Sequence, residues 1–390
     1  MTEQTLPAGE WGACFSYHPH MNLKTLLGMA LLSGALQSLQ HPVQAVEVTG
    51  LYNSTLAVQS RENERERIRA FATGMKDMLV KLTGHDDSHL RPEVQEALVN
   101  PQMYVESWSY QTRADPRTQE QQLMIDIRFY PAGVQELLQR ASLPLWPQNR
   151  PQTLIWGLIT DATGSQRLLN PEAGQSVEEW QALQVIANLR GLPVLAPHWD
   201  YEDQTNLLPD QLLALDEMAI RTASVRYGLD SVMVIHADRL ANGHISGRAL
   251  FLFREQIQMQ ELVDATPADF LAAALTMATR VLADNYAVRV STRVPDQGEG
   301  ADSRDVTLSI EGIRSLDDYS AVLRYVESLE GVSELQLDAV EGEQLTFSLN
   351  TAGQSRQLIE LLAIDRKLQV IAEPQSTSGA LQLHYRWQPR

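Results

Sequence analysis

The chain has 390 residues, with 31 Lys and Arg against 49 Asp and Glu, and a net charge of −18. So acidic a chain repels nucleic-acid phosphates and anionic membrane surfaces, which excludes functions that begin with bulk attraction to either. The sole cysteine, Cys14, removes disulfide frameworks and multi-cysteine metal sites.

Met21 to Ala45 is the first informative stretch. Met21-Asn-Leu-Lys24 is a short basic start, Thr25 to Leu36 is an apolar run, and Val43-Gln44-Ala45 puts small or β-branched residues before a cleavage point. This is the layout of a secretory signal peptide, whose apolar run is too short to span a bilayer comfortably. The expectation is export with cleavage after Ala45, and translation from Met21, because a twenty-residue acidic prefix is foreign to such signals. Removing Glu3, Glu10 and Lys24 with residues 1–45 leaves a net charge of −17 and no cysteine. No later stretch is apolar for long enough to form a transmembrane span.

At ~100–200 residues per domain, two or three domains are expected. Residues 46–147 read as an α+β domain. Leu51 to Gln59 is a strand, Ser60 a helix cap, and Arg61 to Leu82 a helix whose Ile68, Phe71, Met75, Met78, Leu79 and Leu82 share one face. Gly84 stops it. His85-Asp-Asp-Ser-His89 offers two imidazoles and two carboxylates, but the spacing matches no standard metal site and a polar surface loop is the better reading. Pro92 opens a short helix over 91–99. Strands over 103–113 and 121–130 flank a turn at Asp115-Pro116; Leu123, Ile125, Ile127 and Phe129 alternate in the second. An antiparallel hairpin covered on one face by the long helix follows. A helix over 134–141 and the proline-rich Leu143 to Pro151 end the unit.

Residues 150–294 read as an α/β sandwich with a mixed sheet. Thr153 to Thr160 is a continuous apolar strand, 177–190 a helix stopped by Gly191, and 193–196 a short strand. Pro209 to Tyr227 is read as one helix, followed by strands over 231–238, 244–254 and 257–263, a turn at Asn242-Gly243, a helix over 268–285 and a strand over 287–292. The most site-like stretch is His198-Trp-Asp-Tyr-Glu-Asp203, just after the short strand, since ligands in such sheets favour the carboxyl ends of strands. His198, Asp200, Glu202 and Asp203 are the candidate metal ligands or acid–base groups. The competing and preferred reading is an acidic surface loop whose Asp200 or Asp203 pairs with Arg221 or Arg226. His236 and His244 each stand alone on a strand and read as ordinary polar positions. No phosphate loop, nucleophile elbow or paired metal-binding histidines occur, so no catalytic residue and no cofactor is assigned.

Residues 295–304 read as a linker. Residues 305–372 follow a ferredoxin-like βαββαβ order, with Ser315 capping the first helix, Gly331 ending it and Leu368 to Ile371 as the closing strand. A spacer from Glu373 to Gly379 leads to an added strand over 380–388.

One set of residues carries a resemblance. Arg67, Ala70, Val80-Lys-Leu-Thr-Gly84, Tyr104 to Tyr110, Leu143-Pro-Leu-Trp146 and Asn149-Arg-Pro151, extended by Arg190-Gly-Leu-Pro-Val-Leu-Ala-Pro197, Asp200, Asp203 and Ala223-Ser-Val-Arg-Tyr227, resemble the DUF2066 family of proteobacterial exported proteins. Pro147 departs from the glycine expected after the tryptophan. The resemblance spans most of 46–290 and implies a Gram-negative envelope setting, hence the periplasm; it supplies no catalytic residues. The sequence therefore reads as a non-enzymatic periplasmic protein that binds other envelope proteins. Its rival is a metal- or small-ligand-binding hydrolase built on His198 to Asp203.

Overall fold

The computed structural model describes residues 45–114, 120–171, 176–289, 306–329, 332, 334–351, 355–364, 367–377 and 380–388. Every element below lies within the compact unit His41–Arg390.

The N-terminal elements are β1 (Ala45–Glu47), β2 (Asn53–Ala57), α1 (Glu64–Thr83), α2 (Pro92–Val99), β3 (Val105–Ala114), β4 (Gln121–Phe129) and α3 (Pro131–Arg140). Strands β2, β4 and β3 form an antiparallel sheet in that order. The alternation in β4 buries Ile125, Ile127 and Phe129 against Phe71, Met75, Met78, Leu79 and Leu82 of α1. Gly74 lets α1 lie directly on the sheet, since a Cβ there would sit 3.1 Å from Ile127 Cδ1 and from Ser54 Cβ. The helix begins later than the sequence suggested. Asn63, not Ser60, is the cap: its Oδ1 accepts the Glu66 N–H at 3.2 Å. The Glu66 carboxylate reaches back to accept the Gln59 and Ser60 N–H groups, which holds residues 60–62 outside the helix. Gly84 ends it in the left-handed conformation (φ 73°). The turn expected at Asp115-Pro116 lies outside the described residues.

The stretch read as a break contains β5 (Pro144–Leu145) and β6 (Asn149–Pro151). Each joins a two-stranded ladder, β6 with β1 and β5 with the later β13 (Val288–Arg289), edge positions where proline's missing donor is tolerated.

The central elements are β7 (Thr153–Thr160), β8 (Gln166–Leu168), α4 (Val177–Arg190), β9 (Val194–Leu195), α5 (Tyr201–Asn206), α6 (Pro209–Ala214), α7 (Glu217–Ser224), β10 (Ser231–Arg239), β11 (Ile245–Phe253), β12 (Gln256–Ala265) and α8 (Pro267–Tyr286). The sheet order is β12-β11-β10-β7-β8, and β9 pairs with the start of β7. β7 is parallel to β9 and β10, and the remaining pairs are antiparallel. One face, with Ile155, Ile159, Met233, Ile235 and Phe251, packs on α4 and α8; the other, with Leu154, Trp156, Val232 and Val234, packs under α5 to α7. Three layers result, and β7 is apolar throughout because both of its faces are covered. The single helix expected over 209–227 is broken. Leu215 adopts φ 54°, Asp216 caps α7 through the Ala219 N–H at 3.2 Å, and Val225–Tyr227 form a 3-10 turn. β8 is only three residues long, too short for alternation to mark it.

The last sheet contains β14 (Val306–Glu311), β15 (Glu334–Glu341), β16 (Gln344–Asn350), β17 (Leu368–Thr377) and β18 (Ala380–Trp387), with helices α9 (Leu316–Glu327) and α10 (Ser355–Ile364). Its order is β15-β16-β14-β18-β17. The place beside β14 that βαββαβ would give to Leu368–Ile371 is taken by β18, which runs parallel to β14; β17 lies outside it. Burial explains the choice. Leu383, Tyr385 and Trp387 of β18 are buried, whereas β17 exposes Val370 and Ile371 and carries Pro374 within two register shifts, features of an edge. Most of the expected spacer, Glu373–Thr377, is thus strand. The linker 295–304 and Gly331 lie outside the described residues. Ile364 of α10 packs in the central core, and Arg254 donates to both Glu360 oxygens at 3.1 and 2.6 Å, so α10 ties the last sheet to the central one. Among the described residues no helix is long and apolar enough to cross a membrane.

Candidate functional site

The chain leaving β9 turns sharply before α5. Trp199 sits at φ 54°, and its N–H donates to Asp203 Oδ2 at 2.7 Å. Asp200 caps α5, accepting the Asp203 N–H at 3.1 Å. The expected surface loop is therefore a turn plus the first turn of a helix, and Asp203 is fully buried rather than on the surface.

Arg226 and Tyr227, in the turn after α7, close over this segment. The guanidinium grips Asp200 with two bonds, Nη1 to Oδ1 at 2.6 Å and Nη2 to Oδ2 at 2.9 Å. Nη1 also reaches Asp203 Oδ1 at 3.0 Å and lies 3.7 Å from Glu202. The Tyr227 hydroxyl donates to Asp203 Oδ2 at 2.5 Å and accepts the His198 N–H at 2.8 Å. Trp156 of β7 meets Trp199 and Tyr227 edge-on, at ring distances of 5.4 and 6.0 Å, beneath the knot. The forked guanidinium contact holds the Asp200 carboxyl well below the usual carboxylate range, and the same contact raises Arg226. Burial first, then the bond to Asp203, pushes the Tyr227 phenol well up.

The structure thus brings Asp200, Glu202 and Asp203 around one arginine. Both oxygens of Asp200 and both of Asp203 are engaged by protein donors. Glu202 projects outward, 60% exposed. Asp200 is too acidic for a good general base at neutral pH. Among the described residues no group of three or more His, Cys, Asp or Glu side chains is placed to hold a metal ion. Arg221 pairs within its own helix, with Glu217 at 2.8 Å.

The other sequence candidates have structural partners. His85 Nε2 lies 3.1 Å from Asp284, Asp86 pairs with Arg190 at 2.7 Å, and His89 Nδ1 meets the Asp86 carbonyl at 2.8 Å, so this segment joins the end of α1 to α4 and α8. His244 stands before β11 against Asp264 at 2.9 Å. His236 is held below its ordinary value by burial.

Sequence reasoning missed a second constellation. Arg150 of β6 is fully buried. Its Nε donates to the Pro147 carbonyl at 2.9 Å, Nη1 to Gly191 at 2.8 Å, and Nη2 to Lys81 at 2.6 Å and Trp146 at 3.0 Å, while the guanidinium stacks 4.0 Å from the Trp146 ring. A cation here faces the carbonyl ends of both α1 and α4, where the helix dipoles favour it. The one available signal was Asn149-Arg-Pro151 among the resemblance motifs.

No curated protein matches the chain. A solved structure, formyltetrahydrofolate deformylase from Burkholderia mallei, aligns at 13% identity over 52% of this chain and 93% of that one; its TM-score of 0.15 is too low to carry an argument. The family that matches is a domain of unknown function, DUF8605, over residues 45–147. The N-terminal part of the chain is accordingly similar to an uncharacterised family, under a different family name from the DUF2066 resemblance.

Proposed function

We propose that this chain is an exported cell-envelope protein that acts by binding other envelope proteins rather than by catalysis. The carrying observation is the knot around Arg226. The carboxylates that looked most capable of chemistry are spent on fastening α5 and the turn after α7 together over β7. Export is supported by the Met21–Ala45 pattern, and by the family match, which covers residues 45–147 and so leaves the stretch before Ala45 outside it. The resemblance to DUF2066 supports a periplasmic setting. The surface over α5 to α7 exposes Tyr201, Leu208, Met218 and Val225, apolar area of the kind used for protein contacts.

Cell fractionation with N-terminal sequencing tests the compartment. The expected result is a periplasmic chain beginning at Val46; a cytosolic chain retaining residues 1–45 refutes it. A second reading, metal- or ligand-assisted hydrolysis at His198 to Asp203, is favoured by the exposure of both Glu202 and His198 on this segment. Thermal melts with calcium, magnesium, manganese or zinc, and with a chelator, decide between the two. A cation bound to the folded state raises the melting temperature; an unchanged melt with every ion removes the metal version of this reading.

A further inference from the structure

Between the end of α8, strand β12 and the start of α10 lies a cleft of about 420 Å³, large enough for a small solute. Its walls carry opposite charges. Asp284 stands in the last turn of α8, the carbonyl end, and its side chain is 66% exposed, with His85 Nε2 at 3.1 Å from Oδ1. Arg356 stands in the first turn of α10, exposed, and forms no ion pair among the described residues. The two helix dipoles reinforce these charges, negative beside Asp284 and positive beside Arg356. Glu360 is not a free anion in the cleft, because Arg254 holds both of its oxygens.

Amides share the lining with these charges. Gln256, Gln258 and Gln357 line the cleft, and none bonds through its side chain to another described residue. Asn285 donates to the Val281 carbonyl at 2.7 Å, which leaves its own carbonyl oxygen as an acceptor. Val281 is the one aliphatic residue of the lining. An apolar molecule would gain little there. An anion alone would meet Asp284, and a cation alone would meet Arg356.

We propose that this cleft binds a small zwitterion of amino-acid type, with its carboxylate on Arg356, its ammonium on Asp284 and the amides contacting the body between. A planar guanidinium suits a carboxylate, and the charge-assisted bonds at both ends supply selectivity against singly charged analogues. The source is either a free amino acid or a short peptide. The proposal does not depend on export.

Saturation-transfer NMR and titration calorimetry on the full chain test it, with L-alanine, L-alanyl-L-alanine, propanoate and ethylammonium as probes. At least one zwitterion should bind, and each singly charged probe should bind at least tenfold more weakly. Binding of alanine alone assigns a free amino acid; binding of the dipeptide alone assigns a peptide. Arg356→Gln and Asp284→Asn should each weaken binding at least tenfold while the melting temperature stays within about 2 °C. Both side chains are exposed, and Asp284→Asn keeps a side-chain oxygen where Oδ1 now meets His85 Nε2 at 3.1 Å, so each substitution should cost little stability. The proposal is overturned if no zwitterion binds, if propanoate or ethylammonium binds equally well, or if neither substitution changes the affinity.

Discussion

Arg150 should be among the most sensitive positions in the molecule. Replacing it with Met keeps an apolar stem but leaves four carbonyls, of Lys81, Trp146, Pro147 and Gly191, without a donor they now meet at 3.0 Å or less. A buried acceptor stripped of its partner costs about 1–3 kcal/mol. Relaxation around the shorter side chain, and relief from burying a cation, argue for the low end, about 1 kcal/mol each and about 4 kcal/mol in all. Against a total stability of about 5–15 kcal/mol this is a large fraction, and at about 2–4 °C per kcal/mol the melting temperature should fall by about 10 °C. Arg150→Lys should lie between, since an ammonium cannot serve four fixed acceptors or stack flat on Trp146. Scanning calorimetry reads these shifts, with exposed Arg113→Met as the control expected to move little. A shift under about 2 °C for Arg150→Met, or equal shifts for Met and Arg113→Met, would refute the reasoning.

Gly247→Ala would place a Cβ 2.3 Å from the His236 carbonyl oxygen at the bulge of β11, so the backbone must move and thermal melts should show a loss of about 2–3 kcal/mol. Asp203→Ala should lower the melting temperature clearly more than Glu202→Ala, because Asp203 is buried in three bonds and Glu202 is exposed; the opposite order would discredit the knot. The folded value of Asp200 is depressed, so its stabilisation is present above the ordinary carboxylate pKa of about 3.9 and fades as pH falls further toward the folded value. The gap in melting temperature between wild type and Asp200→Asn should therefore be constant near neutrality and shrink below about pH 4. Tyr385 is pushed up to about 12 by burial, so its neutral form contributes stability that is complete below about pH 10 and lost as pH rises toward 12. Melts of Tyr385→Phe should lack that part of the alkaline decline.

What was legible in the sequence follows from period and coverage. β4 has one covered face and announced itself by alternation; β7 has two and announced itself by an unbroken apolar run. The order of the last two strands was not legible, because β17 and β18 both contain apolar residues and only tertiary burial shows which one belongs inside. The break at Leu215 was hidden because a leucine rarely takes positive φ, and no glycine marked the site. At the candidate site the residues were identified but their burial was not: a sequence of acidic residues does not say that Asp203 faces inward toward Arg226 and Tyr227. Several of the resemblance residues share a physical basis that was not visible one-dimensionally. Lys81, Trp146 and Gly191 converge on Arg150, and Asp200 and Asp203 converge on Arg226 and Tyr227. They mark two structural knots.

We propose that this protein works by contact with an envelope partner. Cross-linking in living cells that express a C-terminally tagged chain, followed by identification of what co-purifies, tests it most directly. The expected result is a reproducible envelope protein whose yield falls at least several-fold when Met218→Glu is placed on the exposed face of α7. A correctly exported, folded protein that captures no envelope protein would contradict it, as would one whose partner is unaffected by charges introduced at Tyr201, Leu208, Met218 and Val225 together.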